Sequence, residues 1–281
     1  MKKILYSFAF MLVLLCSCEK EEISNTDTQG QGESAAKPAI TITVTQVTSN
    51  DILFTTNCSD TSITYYVSGM PKSKYLREST YSADSIMGFE KSWFEFVSQS
   101  YGQPWYQIML SQCVKGTQSY DFADFSYVMD PESDYVIYAY GINDKGERIT
   151  YIYTCEVTTA DMVISNNEIN VNITKTYSNG VDATITTTNN DSYYISLQRK
   201  SYVDYFQGEG HTLGEMAVDL ISAEISSSGT IPLLRGNQTI TPAEYSCKFK
   251  NMDYYLIYFA YDQENGRRSD VHLVPFKTEA N

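Results

Sequence analysis

Part of this chain is written twice, and the repeat limits the possible folds more than any composition figure does. Val114-Lys115-Gly116-Thr117-Gln118-Ser119 returns as Leu234-Arg235-Gly236-Asn237-Gln238-Thr239. Tyr135-Val136-Ile137-Tyr138 returns as Tyr255-Leu256-Ile257-Tyr258, and Gly146-Glu147-Arg148 as Gly266-Arg267-Arg268, all at a spacing of 120. Upstream, Tyr65-Tyr66-Val67-Ser68 returns as Tyr193-Tyr194-Ile195-Ser196 at a spacing of 128, so the second copy is eight residues shorter between its third strand and the Gly-x-Gln turn. Two like domains are expected, at 38–159 and 163–279, joined by Ala160-Asp161-Met162.

Within each copy the apolar residues alternate. Ile40, Ile42 and Val44 are separated by threonines, Ile52, Phe54, Thr56 and Cys58 share a face, and so do Val181, Ala183, Ile185 and Thr187. Period two marks half-buried strands. The middle of each copy changes period. Ile86, Phe89, Trp93 and Val97 recur at helical spacing, and Thr212-Leu213-Gly214-Glu215 reads as a capping box ahead of Met216 and Leu220. Gly102-Gln103 ends the first of these helices, and Pro104 opens a short second one through Leu110.

Near the end of each copy, Met129-x-Pro131-x-Ser133-x-Tyr135 and its twin Phe249-x-Asn251-x-Asp253-x-Tyr255 resemble the L-x-P-x-T-x-Y motif of fibronectin type III domains. Val157-Thr158-Thr159 and Phe276-Lys277-Thr278 resemble that family's last strand. The resemblance implies a mostly β chain of two tandem immunoglobulin/fibronectin type III-like β-sandwiches, each with a helical insertion between strands C and E. It also implies that Tyr135 and Tyr255 are corner tyrosines, their hydroxyls turned back to upstream backbone.

The N-terminus carries an address. Lys2-Lys3 precede a twelve-residue apolar run, Ile4 to Leu15, the pattern of a secretory signal and too short to span a bilayer. Leu15-Cys16-Ser17-Cys18 resembles a bacterial lipobox, which implies a signal peptide over 1–17 and acylation of Cys18; an ordinary signal cut elsewhere is the other reading. Residues 23–38 are too polar to fold, and as a coil would span about 20–24 Å. Glu19-Lys20-Glu21-Glu22 resembles the export tag of surface lipoproteins of the Bacteroidetes, so 18–37 is expected to be an anchor and tether holding the domains outside the outer membrane. The membrane partner is thus reached through the acyl chains on Cys18.

A formal charge of −14 argues against binding a phosphate backbone, so nucleic acid is not expected. The one basic cluster, Arg267-Arg268, reads as a solvated hairpin tip. Cys58, Cys113, Cys155 and Cys247 have no C-x-x-C spacing and lie far from His211 and His272, so neither a metal site nor a cofactor is expected. They read as small buried hydrophobes, with a disulfide among the first three as the alternative. Glu215 and Asp219 share a helix face, but the first has a capping role, and no nucleophile motif accompanies either histidine. The chain reads as a non-enzymatic binding or adhesion module for a glycan or a protein, or else as an accessory subunit of an outer-membrane complex. Trp105 and Tyr106 are the candidate ligand-binding residues, since aromatic faces stack on sugars; the other reading packs Trp105 onto the domain beside Ile108 and Met109.

Overall fold

Strands β1 (Ile40–Val47) and β2 (Ile52–Cys58) bury alternate residues because successive side chains of a strand point to opposite faces. The structure, a computed structural model, describes residues 39–79, 83–125 and 128–280; the signal, Cys18 and the tether lie outside them. The chain is mostly β with antiparallel sheets, an arrangement compatible with a β-sandwich. It divides into two compact units. Of the described residues, one holds those up to Val47 and those within 52–125 and 134–158; the other holds those within 48–51, 126–133 and 159–281.

In the first unit β3 (Thr64–Pro71) is followed by helices α1 (Lys72–Glu78), α2 (Ala83–Tyr101) and α3 (Trp105–Ser111), then β4 (Thr117–Asp121), β5 (Asp134–Ile142) and β6 (Tyr153–Thr158). The sheets are β1-β2-β4 and β3-β5-β6. Every residue of β5 after Asp134 is buried, as befits a strand covered on both faces. One face meets the other sheet. The opposite face presents Tyr66, Val136, Tyr138 and Tyr140 to Ile86, Phe94 and Met109 of the helices.

The helix stripe differs from the expected one. Ile86, Glu90 and Phe94 face the sheet, and Trp93 points outward. Glu90 explains the rotation: the hydroxyls of Tyr66 (3.1 Å) and Tyr138 both donate to its carboxylate, so a nominally charged residue occupies the inner face. Burial pushes the Glu90 carboxyl above the usual range, and the two tyrosine hydrogen bonds and Lys74 only partly oppose that.

The second unit repeats the scheme with β7 (Ile169–Tyr177), β8 (Gly180–Thr187), β9 (Tyr193–Arg199), α4 (Lys200–Gly208), α5 (Leu213–Ser228), β10 (Gln238–Ile240), β11 (Asp253–Asp262), β12 (Gly266–Arg267) and β13 (His272–Lys277). Its sheets are β10-β8-β7 and β9-β11-β13, with β12 paired to β11. Val181, Ala183, Ile195, Ile240 and Leu256 fill the space between the sheets, while Tyr194, Ile257 and Phe259 pack under Val203, Phe206, Met216 and Leu220. The expected capping box is present: Thr212 Oγ1 accepts from the Glu215 N–H (3.0 Å) and Glu215 Oε2 from the Thr212 N–H (2.9 Å).

Hydrogen bonds repeat between the units and show where the two copies correspond. Tyr65 donates to the carbonyl of Gly116 and Tyr193 to that of Gly236, both at 2.9 Å, and both glycines have positive φ (67° and 61°). Tyr66 donates to Glu90 and Tyr194 to Glu224 (2.8 Å). From the fifth strand of each copy onward the spacing is 119, not 120. Thr159 Oγ1 donates to Asp130 O (2.6 Å) and accepts from Ser133 N–H (2.9 Å); Thr278 Oγ1 donates to Phe249 O (3.0 Å) and accepts from Met252 N–H (2.9 Å). Glu132 and Asn251, the non-glycine residues with positive φ among the described residues, occupy the same place in each turn.

A slip of one residue exchanges the faces of a strand. The structural twin of Tyr135 is therefore Tyr254, whose Oη accepts from the upstream Phe249 N–H (3.2 Å). Tyr255 turns to the helix side under Lys200. The cluster Arg267-Arg268 is likewise no solvated tip. Arg267 forms a bidentate pair with Asp130 (2.7 and 3.1 Å), the side chains 12% and 6% exposed, and Arg268 pairs with Asp262 (2.8 Å).

Two outcomes follow. Tyr254→Phe should cost about 1 kcal/mol through the lost acceptor, and Tyr255→Phe less than about 0.5 kcal/mol, as compared in denaturant melts. Glu90 gives a pH signature. Its folded pKa is raised, so the stability it contributes is present below the unfolded value of about 4.3 and is lost as pH rises through the folded value. The unfolding free energy of the native chain relative to Glu90→Gln should fall over that window; a difference flat from about pH 4 to 8 would contradict the assignment.

Candidate functional site

In the second unit an open cleft of about 600 Å³ lies beside β9 and β10. Its wall comprises Ile195, Ser196 and Leu197 from β9, Gln238, Thr239 and Ile240 from β10, Glu224 from α5, and the loop residues Pro232, Leu234, Glu244, Tyr245 and Ser246. A cleft of this size is in the range that holds a small ligand or a few residues of a chain. Each part has a local reason to be there. The Tyr193 hydroxyl on Gly236 and the bridge Tyr193↔Leu234 hold the loop ahead of β10 against the start of β9. Tyr194 holds Glu224 at the margin.

Two carboxylates thus reach one cleft, and no lysine or arginine lines it among the described residues. Arg235, next in sequence to Leu234, directs its guanidinium to the Asn190 carbonyl at 3.1 Å. Burial raises the Tyr245 hydroxyl pKa, and the charges of Glu244 and Glu224 raise it further. Burial likewise pushes Tyr193 up to about 12. The cleft therefore offers carboxylates, hydroxyls and apolar side chains.

Trp105 and Tyr106, singled out in the sequence, begin α3 and are both half-buried. Lys91 lies 5.5 Å from the centroid of the Trp105 ring, over its face. A Cβ at Gly146 would stand 2.8 Å from that ring and 2.9 Å from Tyr106 Cβ, so the helix sits directly on the Asn143–Gly146 turn, where φ is +78°. The exposed aromatic pair is elsewhere: Trp93 (56% exposed) and Phe96 (64%) on α2, ring centroids 6.0 Å apart. Sequence reading missed this pair because Trp93 fits the apolar stripe when Glu90 is taken as solvated.

The other candidates have structural settings. His211 stacks on Phe206 (4.4 Å) and contacts Glu215 (3.2 Å) at the start of α5. His272 stacks on Tyr258 (4.8 Å). The four cysteines are free thiols; burial pushes Cys113 up to about 12 and Cys247 up to about 11, which keeps both protonated. Among the described residues no cluster of His, Cys, Asp and Glu could hold a metal ion, and no helix is long and apolar enough to cross a membrane.

No protein-family model matches the chain, and no curated protein matches it significantly.

Trp105→Ala should lower stability by about 2 kcal/mol, less than the 3–5 kcal/mol of a fully buried ring because part of the indole is already in water. Thermal melts check this; an unchanged melting temperature would mean that the ring contributes nothing to packing and is free for a ligand.

Proposed function

We propose that this chain is an outer-membrane lipoprotein, anchored through Cys18 and facing outward, that binds a ligand without transforming it. In this reading its two units are tandem fibronectin type III-like sandwiches. The strand order supports that: β1-β2-β4 against β3-β5-β6, and β7-β8-β10 against β9-β11-β13, correspond to A-B-E against C-F-G, with the helices in the C-to-E connection. The observation that carries the binding role is the open cleft beside β9, mounted on strands fixed by repeated hydrogen bonds. A rigid scaffold presenting a concave polar and apolar surface is suited to recognition.

The second reading, an accessory subunit of an outer-membrane complex, is favoured by Trp93 and Phe96. Exposed aromatics on one helix are a common docking surface for a protein.

One experiment on intact cells addresses anchor and role. Palmitate-analogue labelling should be lost in Cys18→Ala, and equal incorporation would overturn the lipoprotein. A photo-crosslinker at Thr239, in the cleft, should capture a soluble ligand, whereas a crosslinker at Phe96 that captures a stoichiometric membrane protein favours the subunit. Capture at neither position overturns both readings.

A further inference from the structure

The two copies differ at the end of the third strand. In the first unit Phe122 is fully buried, stacked edge-on against Tyr135 (5.6 Å) and so close to Gly69 that a Cβ there would lie 2.6 Å from its ring. Phe122 thus plugs the flank between the end of β3 and the sheet of β4, and Gly69 makes the room. At the corresponding spacings of 128 and 120, the second copy has Leu197 in place of Gly69 and Pro242 in place of Phe122. A leucine cannot admit such a ring, and Pro242 packs instead against Gly180, where a Cβ would lie 3.1 Å from it. Leu197, which stands where the first unit has Gly69, lines the cleft of the second unit.

The cleft is bordered by an unfinished strand edge. Tyr193 turns both its N–H and its C=O away from β11, exchanging them with Leu234 at 3.0 and 2.9 Å. The ladder between β9 and β11 runs without a register shift, so Ile195 and Leu197 turn their backbone groups the same way as Tyr193. Beyond Leu234 no described residue continues that pairing: the outward N–H and C=O of Ile195 and Leu197 have no hydrogen-bond partner among the described residues. Both residues line the cleft, as do Glu224 and Glu244.

We propose that this cleft is a strand-addition site that takes an extended peptide bearing basic side chains. The peptide would continue the pairing begun by Leu234, bonding the free backbone groups of Ile195 and Leu197. Alternate side chains would then point to opposite faces, apolar ones toward Leu197, Leu234 and Ile240 and basic ones toward the carboxylates. The two carboxylates, with no lysine or arginine among the described lining residues, decide the ligand's charge. The inference rests on the binding role proposed above and specifies its ligand.

The test uses the native chain and a blocked heptapeptide alternating valine with lysine. Its controls are the same peptide N-methylated on alternate backbone nitrogens, in both phases, and the same peptide with glutamate for lysine. Fluorescence anisotropy should show the unmodified peptide binding at least about tenfold tighter than the glutamate peptide and than one of the N-methylated forms. The amides of Ile195 and Leu197 should gain hydrogen-exchange protection on binding. Glu244→Gln should weaken binding of the lysine peptide; if that variant does not fold, the N-methyl comparison on the native chain decides. Equal affinity of all peptides, protection elsewhere, no binding at millimolar concentration, or a neutral oligosaccharide protecting these amides in place of the peptide would each overturn strand addition. Capture of a non-peptide ligand at Thr239 would overturn it while leaving the binding role intact.

Discussion

Each unit is arranged around one strand that is almost wholly buried. β5 lies between β3 and β6, and β11 between β9 and β13, and both their faces are covered, by the opposing sheet on one side and by helices on the other. A sheet whose outer face reads Tyr66, Val136, Tyr138 and Tyr140, or Tyr194, Ile257, Phe259 and Tyr261, would expose a broad apolar surface if left bare. The helices are therefore part of the core. Tyrosines are useful on that face because each ring fills space while its hydroxyl needs a partner, and the helix supplies one as Glu90 or Glu224. The first unit takes this further, burying the carboxylate among three tyrosines. Tyr140 Oη has no partner among the described residues, and burial together with the Glu90 charge raises its pKa well above the ordinary value.

The repeated hydrogen bonds show which parts of the copies are held in common. Tyr65 and Tyr193 fasten the third strand to the Gly-x-Gln turn, and Thr159 and Thr278 close the turn that leads into the central strand. Thr150 and Ser269 likewise accept from the N–H of Gly141 (2.7 Å) and Ala260 (2.9 Å) after the following hairpin. Each of these bonds is local in space but ties segments distant in sequence, and each satisfies a backbone group that would otherwise be left in or near the core. Length changes fall between them. The spacing of the copies changes from 128 to 120 across the helices and to 119 just before the central strand, always in a connection and never in a paired strand.

Period-two strands, the capping box at Thr212 and the helix opened by Pro104 were all readable in the sequence, because each depends on neighbours a few residues apart. What depended on distant partners was not. Glu90 belongs on a wet face until Tyr66 and Tyr138 are known to lie above it, and that one residue rotated the predicted stripe and put Trp93 on the wrong side. Tyr255 matches Tyr135 in sequence because a tyrosine-rich strand matches itself at neighbouring registers; only the pairing of Tyr135 with Val157 and of Tyr254 with Phe276 shows the shift. Arg267 looked solvated because its partner, Asp130, is 137 residues away. α1 and α4 were missed for a local reason: each follows its strand directly, and neither Pro71 nor Arg199 caps its helix with a side-chain hydrogen bond.

Where two copies share their fastenings, the differences between them are the places free to carry function. The pair Gly69–Phe122 and its counterpart Leu197–Pro242 form such a difference, because each member makes sense only with the other. Glycine admits the ring, whereas leucine with a proline turned aside leaves the flank open. Neither pair follows from strand propensity, since glycine weakens a strand and the fully buried Phe122 begins a 3-10 helix just after β4. The first unit closes its flank with its own side chain and the second leaves an acidic, partly apolar flank beside unpaired backbone. An unpaired edge is a liability unless it is protected or used. Glu224 and Glu244 protect it against most strands by charge, and the same charge selects for a basic one, so a single arrangement both guards the edge and chooses what can occupy it.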